Sequence, residues 1–416
     1  MQTAARRPSI FLQPIAVRIY AFTMLLGFLN AIPEVVFNFY LLGMGHDATV
    51  TGEMAGLVRL AGVLFGVPLG LAIDRWGSIQ AMQVGAILNA VVWVVLLTTE
   101  QLLVMQIAYF FAGLFFSVGT ISAIMALSSI SAGLVRGQLV AMNFTLITLL
   151  GSAGSVVTGF LPGIAAGLAG VAATDTAAYR LTLWVVVGLS LLTLVPITGL
   201  RSRLSSHHDA RGVEGSDEIP VPLLQAAAMT VGYFAIGAAG GMVHPFLNVF
   251  FREQFAVGDG LIGSLMAAFT LMMGVGSFVS ARLVQRYGER GVVVAAAALA
   301  MPFCLGLLVP SVAVAAGGYM LTCFLIGMVF PYMDVLLFRA VATQQRGVVK
   351  SISTMSWSLG WSLAAYLSGL LQQNGAWTTL IVVSSFGYVM CAVAFKVVPF
   401  SPVARRESVA AGSAAV

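Results

Sequence analysis

Ionisable and amide side chains are rare in the apolar runs of this sequence, so each one found there needs a chemical reason. Asn30, Glu34 and Asn38 recur at i, i+4 and i+8 within the run 19–42 and form one polar stripe on one helix face. Such a stripe avoids lipid and faces a cavity or another helix. A carboxylate placed there can hold a cation, exchange a proton or pair with a guanidinium. Arg59 supplies the guanidinium. Glu34 lies seven residues before Leu41, and Arg59 lies seven residues after Gly52. Both therefore sit about 10 Å below the same end of two consecutive helices. The spacing predicts a Glu34–Arg59 ion pair, which is either a tether between helices or a proton or substrate site that exchanges partners.

Six more positions belong with these. His244 and Asn248 are one turn apart, preceded by Gly237, Gly240 and Gly241 and followed at once by Pro245. That composition predicts a bent helix that frees backbone carbonyls for a ligand. Asp334 follows Phe330-Pro331-Tyr332 and precedes Arg339. It reads as a buried acid site or as a pair with Arg339 closing the end of its helix. Trp357 and Trp361 share a face at i, i+4, and Tyr109 lies in another apolar run. These rings either stack on a solute or pack helices together.

The elements that position these residues follow from composition. Only 8% of the 416 residues are charged and 59% are apolar, whereas a soluble domain carries about 25% charged residues. A water-facing surface cannot be built from so few charges, so lipid is the solvent for most of the chain. A soluble enzyme, a nucleic-acid binder and a disordered chain are excluded. Twelve apolar runs are long enough to span a bilayer, near 19–42, 52–74, 78–98, 102–128, 137–162, 181–200, 222–251, 258–281, 291–309, 312–338, 351–372 and 376–395. The alternation of a β-barrel is absent. The fold class expected is an all-α membrane protein of twelve transmembrane helices.

Arginine and lysine set the orientation. With both termini inside, 17 of the 20 basic residues fall on cytoplasmic segments; only Arg180 and Arg252 fall outside, and Arg59 lies within a span. The expected location is a cell membrane, multi-pass, with both termini cytoplasmic. The polar stretch 201–221 reads as a cytoplasmic loop joining two six-helix halves, 1–200 and 222–416. Its His207-His208 pair reads as solvated. Cys304, Cys323 and Cys391 lie in apolar runs without C-x-x-C spacing. No metal and no other cofactor is expected.

The halves overlay with an offset of 210 to 211 residues. Ile32–Asn38 lies over Met242–Asn248, Asp74-Arg75-Trp76-Gly77 over Gln285-Arg286-Tyr287-Gly288, Tyr109 over Tyr319, and Arg136-Gly137 over Arg346-Gly347. Six spans separate the copies, so the repeats are parallel, an arrangement used by transporters with a substrate site near the bilayer midplane.

Gly70-Leu71-Ala72-Ile73-Asp74-Arg75-Trp76-Gly77 resembles the signature G-x-x-x-D-[RK]-x-G of the major facilitator superfamily, and Arg286-Tyr287-Gly288-Glu289-Arg290 resembles its degenerate second copy. With twelve spans and a central loop, the resemblance covers almost the whole chain. Ser78-Ile79-Gln80 replaces the basic residues that usually follow the signature. The drug–proton antiporter branch is not indicated. No arginine stands in span four, and its span-five pattern is represented only by Gly151, Gly154-Ser155 and Gly159. The resemblance implies a conformational latch at Gly70, Asp74, Arg75 and Gly77, with Arg136 in the same charge cluster. It also implies a central cavity lined by the helices that carry Glu34, Tyr109, His244 and Asp334.

The function expected is secondary active transport of a small neutral, amphipathic or cationic solute by alternating access, with proton coupling as one arrangement. Lipid and the solute are the expected partners, and a monomer the expected state; nucleic acid is not a partner. A receptor or channel on the same scaffold is the alternative, and a membrane-embedded enzyme a more remote one. No G-x-x-x-x-G-K-[ST] loop is present, so ATP hydrolysis is not expected. The topology has a direct test in a variant lacking the three native cysteines. Cysteines introduced at Ser206 and Ser413 should resist a membrane-impermeant thiol reagent on intact cells, while one at Thr174 should react. Labelling of the first two from outside would overturn the orientation.

Overall fold

The structure, a computed structural model, describes residues 13–130, 133–200, 223–340 and 346–397. The expected loop 201–221, both termini and the side chains of Arg136 and Arg346 lie outside the described residues. Every described element is helical: α1 (Pro14–Gly43), α2 (Ala48–Trp76), α3 (Ser78–Thr98), α4 (Leu102–Ser129), α5 (Gly133–Ala169), α6 (Thr176–Leu192), the single turn α7 (Leu194–Ile197), α8 (Leu223–Val243), α9 (Leu247–Phe255), α10 (Asp259–Cys304), α11 (Val312–Ala340), α12 (Arg346–Gln373) and α13 (Trp377–Val397). Ten helical stretches among the described residues are long and apolar enough to cross a membrane. One of them, Asp259–Leu308, holds two of the expected spans, divided at Gly288, where φ is 71°. The more polar α12 completes a set of twelve.

Gly288 and its repeat counterpart Gly77 mark the same event in the two halves. Gly77 has φ 90° and separates α2 from α3. A side chain at either position would clash in this left-handed region, so glycine permits an abrupt change of direction between consecutive helices.

The chain divides into two compact units. The first comprises 1–45, 64–210 and 258–267; the second comprises 46–63, 211–257 and 268–416. Helices α2 and α10 thus each contribute to both. In the first unit α1 packs on α5 and α6; in the second, α8 packs on α12 and α13. The first helix of each repeat therefore meets its own fifth and sixth, as the internal overlay predicts. Within the first unit, Ile19, Phe22 and Leu26 of α1 meet Met82 of α3, Ala123 and Leu127 of α4 and Leu139 of α5 in a buried cluster.

Many polar groups inside the bundles are satisfied within the protein, as a medium without water favours, while Ser122 Oγ, Asn143 Oδ1 and Ser353 Oγ are buried with no hydrogen-bond partner among the described residues. Thr23, Thr158, Thr182 and Ser385 donate to the carbonyl one turn back, at 2.7 to 2.9 Å. Ser384 and Ser368 donate across helices to Ala239 O and Met242 O, fixing α13 and α12 to α8. Two arginines close the last helix of each unit. Arg18 Nε donates to Pro196 O at 2.6 Å and its terminal nitrogen to Thr198 O. Arg290 Nε donates to Phe395 O at 3.1 Å and its terminal nitrogen to Lys396 O. A cation on the unpaired carbonyls of a helix C-terminus satisfies them and complements the macrodipole. These arginines, read in sequence only as orientation signals, are also structural caps.

Candidate functional site

Helix α1 is buried along most of its length, yet Glu34 is exposed in its interior, nine residues before the helix ends at Gly43. That places the carboxylate about 14 Å from the end of the helix. Asn30 Nδ2 donates to Glu34 Oε1 at 2.9 Å, one turn apart. Asn38, the third member of the stripe, is buried. The stripe therefore grades from an exposed carboxylate to a buried amide along one face. Tyr109 of α4 stacks on Phe37 with centroids 4.3 Å apart and stands perpendicular to Trp93 at 6.0 Å. This aromatic stack is a packing environment.

Arg59 occupies different surroundings. Helix α2 begins at Ala48, four residues earlier than the apolar run suggested, so Arg59 lies about 16 Å along it rather than about 10 Å. In the second unit its guanidinium lies over the rings of Trp361, at 5.2 Å, and Trp357, at 5.8 Å. Glu34 belongs to the first unit and Arg59 to the second. Within its own unit, Arg59 meets rings and not carboxylates among the described residues. An arginine at membrane depth costs at least about 2.5–3.5 kcal/mol. Stacking at these separations, near the outer limit for the interaction, returns roughly 0.5–1 kcal/mol per ring. The rings stabilise the cation without cancelling its cost.

The ring pair is seated by α8. A Cβ on Gly240 would lie 2.7 Å from the Trp361 ring, and one on Gly241 would strike the Trp361 carbonyl oxygen. These glycines let α12 approach, whereas their sequence pattern reads only as a sign of a bent helix. The bend itself is present. Residues 244–246 form a 3-10 turn between α8 and α9, because Pro245 has no N–H for the helical ladder. The turn carries His244 to within 5.7 Å of the Trp361 ring, in an edge contact. Tyr319 of α11, the repeat counterpart of Tyr109, places its hydroxyl 3.5 Å from His244 Nδ1. Asn248 is buried, and its Oδ1 accepts from Val249 N at 2.9 Å. Trp357 Nε1 is buried with no hydrogen-bond partner among the described residues. The structure thus gathers Arg59, Trp357, Trp361, His244 and Tyr319 in the second unit.

Asp334 is not paired with Arg339. It accepts from the Tyr233 hydroxyl and from Lys350 Nζ, while Arg339 bonds Glu289 at 2.6 Å. Five residues along a helix amount to about 140° of rotation, so Asp334 and Arg339 face different neighbours. Lys350 also lies 5.5 Å from the Tyr233 ring centroid. Neither Lys350 nor Tyr233 was signalled as a site by sequence, since each is unremarkable until α8, α11 and α12 are packed. At the proposed latch, Asp74 and Arg75 are exposed at the end of α2. A Cβ on Gly70 would meet nothing within 4 Å, so no contact in this arrangement demands that glycine. Gly77 is required by its φ. Among the described residues no cluster of His, Cys, Asp or Glu could hold a metal ion.

Residues 229–415 match the Major Facilitator Superfamily. No curated protein matches the chain by sequence. Among solved structures the chain is similar to a D-xylose–proton symporter (13% identity, 93% of this chain and 98% of that one, TM-score 0.74). It is also similar to the nucleoside transporter NupG (14%, 92% and 98%, TM-score 0.69). A bacterial homologue of the iron transporter ferroportin in an inward-facing state is a third (15%, 92% and 97%, TM-score 0.69). At these identities the likeness is one of fold. The fold is one found in solved multi-pass membrane transporters.

The Asp334 cluster yields a measurable expectation. Asp334 and Lys350 are each about one-third exposed, so the pair should contribute no more than about 1 kcal/mol of coupling in a double-mutant cycle. Asp334→Asn and Lys350→Met should each lower the melting temperature in detergent, and the double variant should lose less than their sum. Strict additivity would show that the two do not act as a pair.

Proposed function

We propose that this chain is a secondary active transporter of a small amphipathic solute, because its residues 229–415 match the Major Facilitator Superfamily and its fold is like that of solved transporters. It works by alternating access as a monomer in a cell membrane, with both termini and the 201–221 segment cytoplasmic. The sequence halves 1–200 and 222–416 are the moving bodies, and proton movement through Glu34 drives accumulation. The observation that carries this reading is Glu34 itself, an exposed carboxylate in the interior of an otherwise apolar and largely buried helix. A group held only for packing would be enclosed; one that loads and unloads protons needs access. Asn30 orients the carboxylate by donating one hydrogen bond to Oε1.

The latch residues Asp74, Arg75 and Gly77 serve the conformational cycle. A carboxylate in the last turn of α2 opposes the helix dipole, and it gains from a partner only when one is brought to it. That makes its energy dependent on conformation rather than on solute.

Glu34→Gln keeps the shape and removes the charge. In proteoliposomes it should abolish gradient-driven accumulation while preserving solute exchange, with binding unchanged within a few-fold. Accumulation with unchanged pH dependence would leave Glu34 a structural residue. Asp74→Asn, in the same assay, should slow transport several-fold and leave equilibrium affinity within a few-fold. A loss of binding as large as that of a cavity variant would contradict the latch role.

A further inference from the structure

The five residues gathered around Arg59 have a common chemical character. A guanidinium offers five N–H donors and no acceptor, and stacking uses its faces while leaving its edge open. The Trp361 and Trp357 rings, 5.4 Å apart, both lie to one side of Arg59. Trp357 Nε1 is a second donor, buried and without a partner among the described residues. With Nδ1 of His244 turned to the Tyr319 hydroxyl, Nε2 is the nitrogen left to meet a ligand.

The carboxylates of this unit are engaged elsewhere. Asp334 holds Lys350 and Tyr233, and Glu289 holds Arg339. Asp47 caps α2 through Val50 N and accepts from Gln373. Glu253 accepts from Trp377 and Gln372. Glu53 lies six residues before Arg59, about 9 Å along α2 and about 120° around it. The unit thus presents a cation and an orphaned indole N–H amid aromatic rings, and among the described residues no ion pair joins one of its carboxylates to Arg59.

We propose that this is the recognition site for the anionic end of an amphipathic solute: a small organic acid with an aromatic or apolar body. The carboxylate is received at the open edge of the Arg59 guanidinium, with the Trp357 indole N–H as a further donor. The apolar body lies against Trp361 and the His244–Tyr319 pair. The planar fork of arginine matches a carboxylate in a way a point charge does not. This inference rests on the transporter reading above and narrows its solute to the organic acids.

The test uses the purified full-length protein and a matched set of probes with one body and three end groups: phenylacetate, phenylacetamide and 2-phenylethylamine. Titrations followed by tryptophan fluorescence should show phenylacetate binding at least tenfold more tightly than the amide, with the amine weakest. Arg59→Gln should bring the acid-to-amide ratio to about one, and Arg59→Lys should restore part of it. Trp357→Phe should weaken the acid several-fold while keeping the preference. A merely structural Arg59 would alter stability and leave the ratio where it was. Equal or tighter binding of the amine, an unchanged ratio in Arg59→Gln, or no binding of phenylacetate at millimolar concentration would overturn the proposal. Binding is read without transport. A protein that discriminates the acid but fails to exchange solute in proteoliposomes would refute the transporter reading alone. One that exchanges solute without preferring the acid would refute this inference alone.

Discussion

A chain that lives in hydrocarbon has no water to fall back on, and the arrangement of this protein follows from that constraint. Each backbone and side-chain donor at depth must find its acceptor inside the protein. Hydroxyls turn back on their own helices, as Thr23 and Thr158 do, or cross to a neighbour, as Ser384 and Ser368 do. Arg18 and Arg290 are spent on the carbonyls that end the last helix of each unit. Trp357 Nε1, buried with no hydrogen-bond partner among the described residues, departs from that pattern. Polar groups at depth are costly, and each one calls for a reason.

The internal repeat shows how one scaffold supports two chemistries. Both units pack their first helix on their fifth and sixth, and both break a helix pair at a glycine with positive φ, Gly77 or Gly288. The repeat positions have diverged in character. Glu34 overlays His244, so an acid stands in the first unit where a donor-rich turn stands in the second. Tyr109 stacks on Phe37, while its counterpart Tyr319 faces His244. Helix packing constrains the small residues and the turns, and it leaves the inward-facing positions free to differ.

Close approach between helices is what brings the second unit's residues together. Gly240 and Gly241 admit the backbone and ring of Trp361, and a hydrophobic force between helices is not available in lipid to do the same. Pro245 then breaks the ladder at the point where His244 must leave the helix face. Packing also decides the partners of the polar residues nearer the helix ends. Asp334 meets Tyr233 and Lys350 because α8, α11 and α12 converge there, and Arg339 turns to Glu289.

Composition and periodicity alone determined the solvent of this protein and its many-helix membrane fold, because hydrocarbon thickness and the expense of charge within it leave few choices. The run Gly70–Gly77 resembles a superfamily signature, and the residues flanking Pro245 announced the bend before α9. The sequence also picked out Glu34, Arg59, His244 and Trp357 individually, since a polar or indole group inside an apolar run is conspicuous wherever it lies. Their associations were decided by tertiary structure. Spacing at i, i+4 predicts neighbours on one helix, as for Asn30 and Glu34, and carries little information across helices, where rotation and approach are set by small residues far away in sequence. The pairing of Asp334 with Lys350 and the stacking of Arg59 on two tryptophans about 300 residues away depend on how three or four helices pack, which no local pattern records.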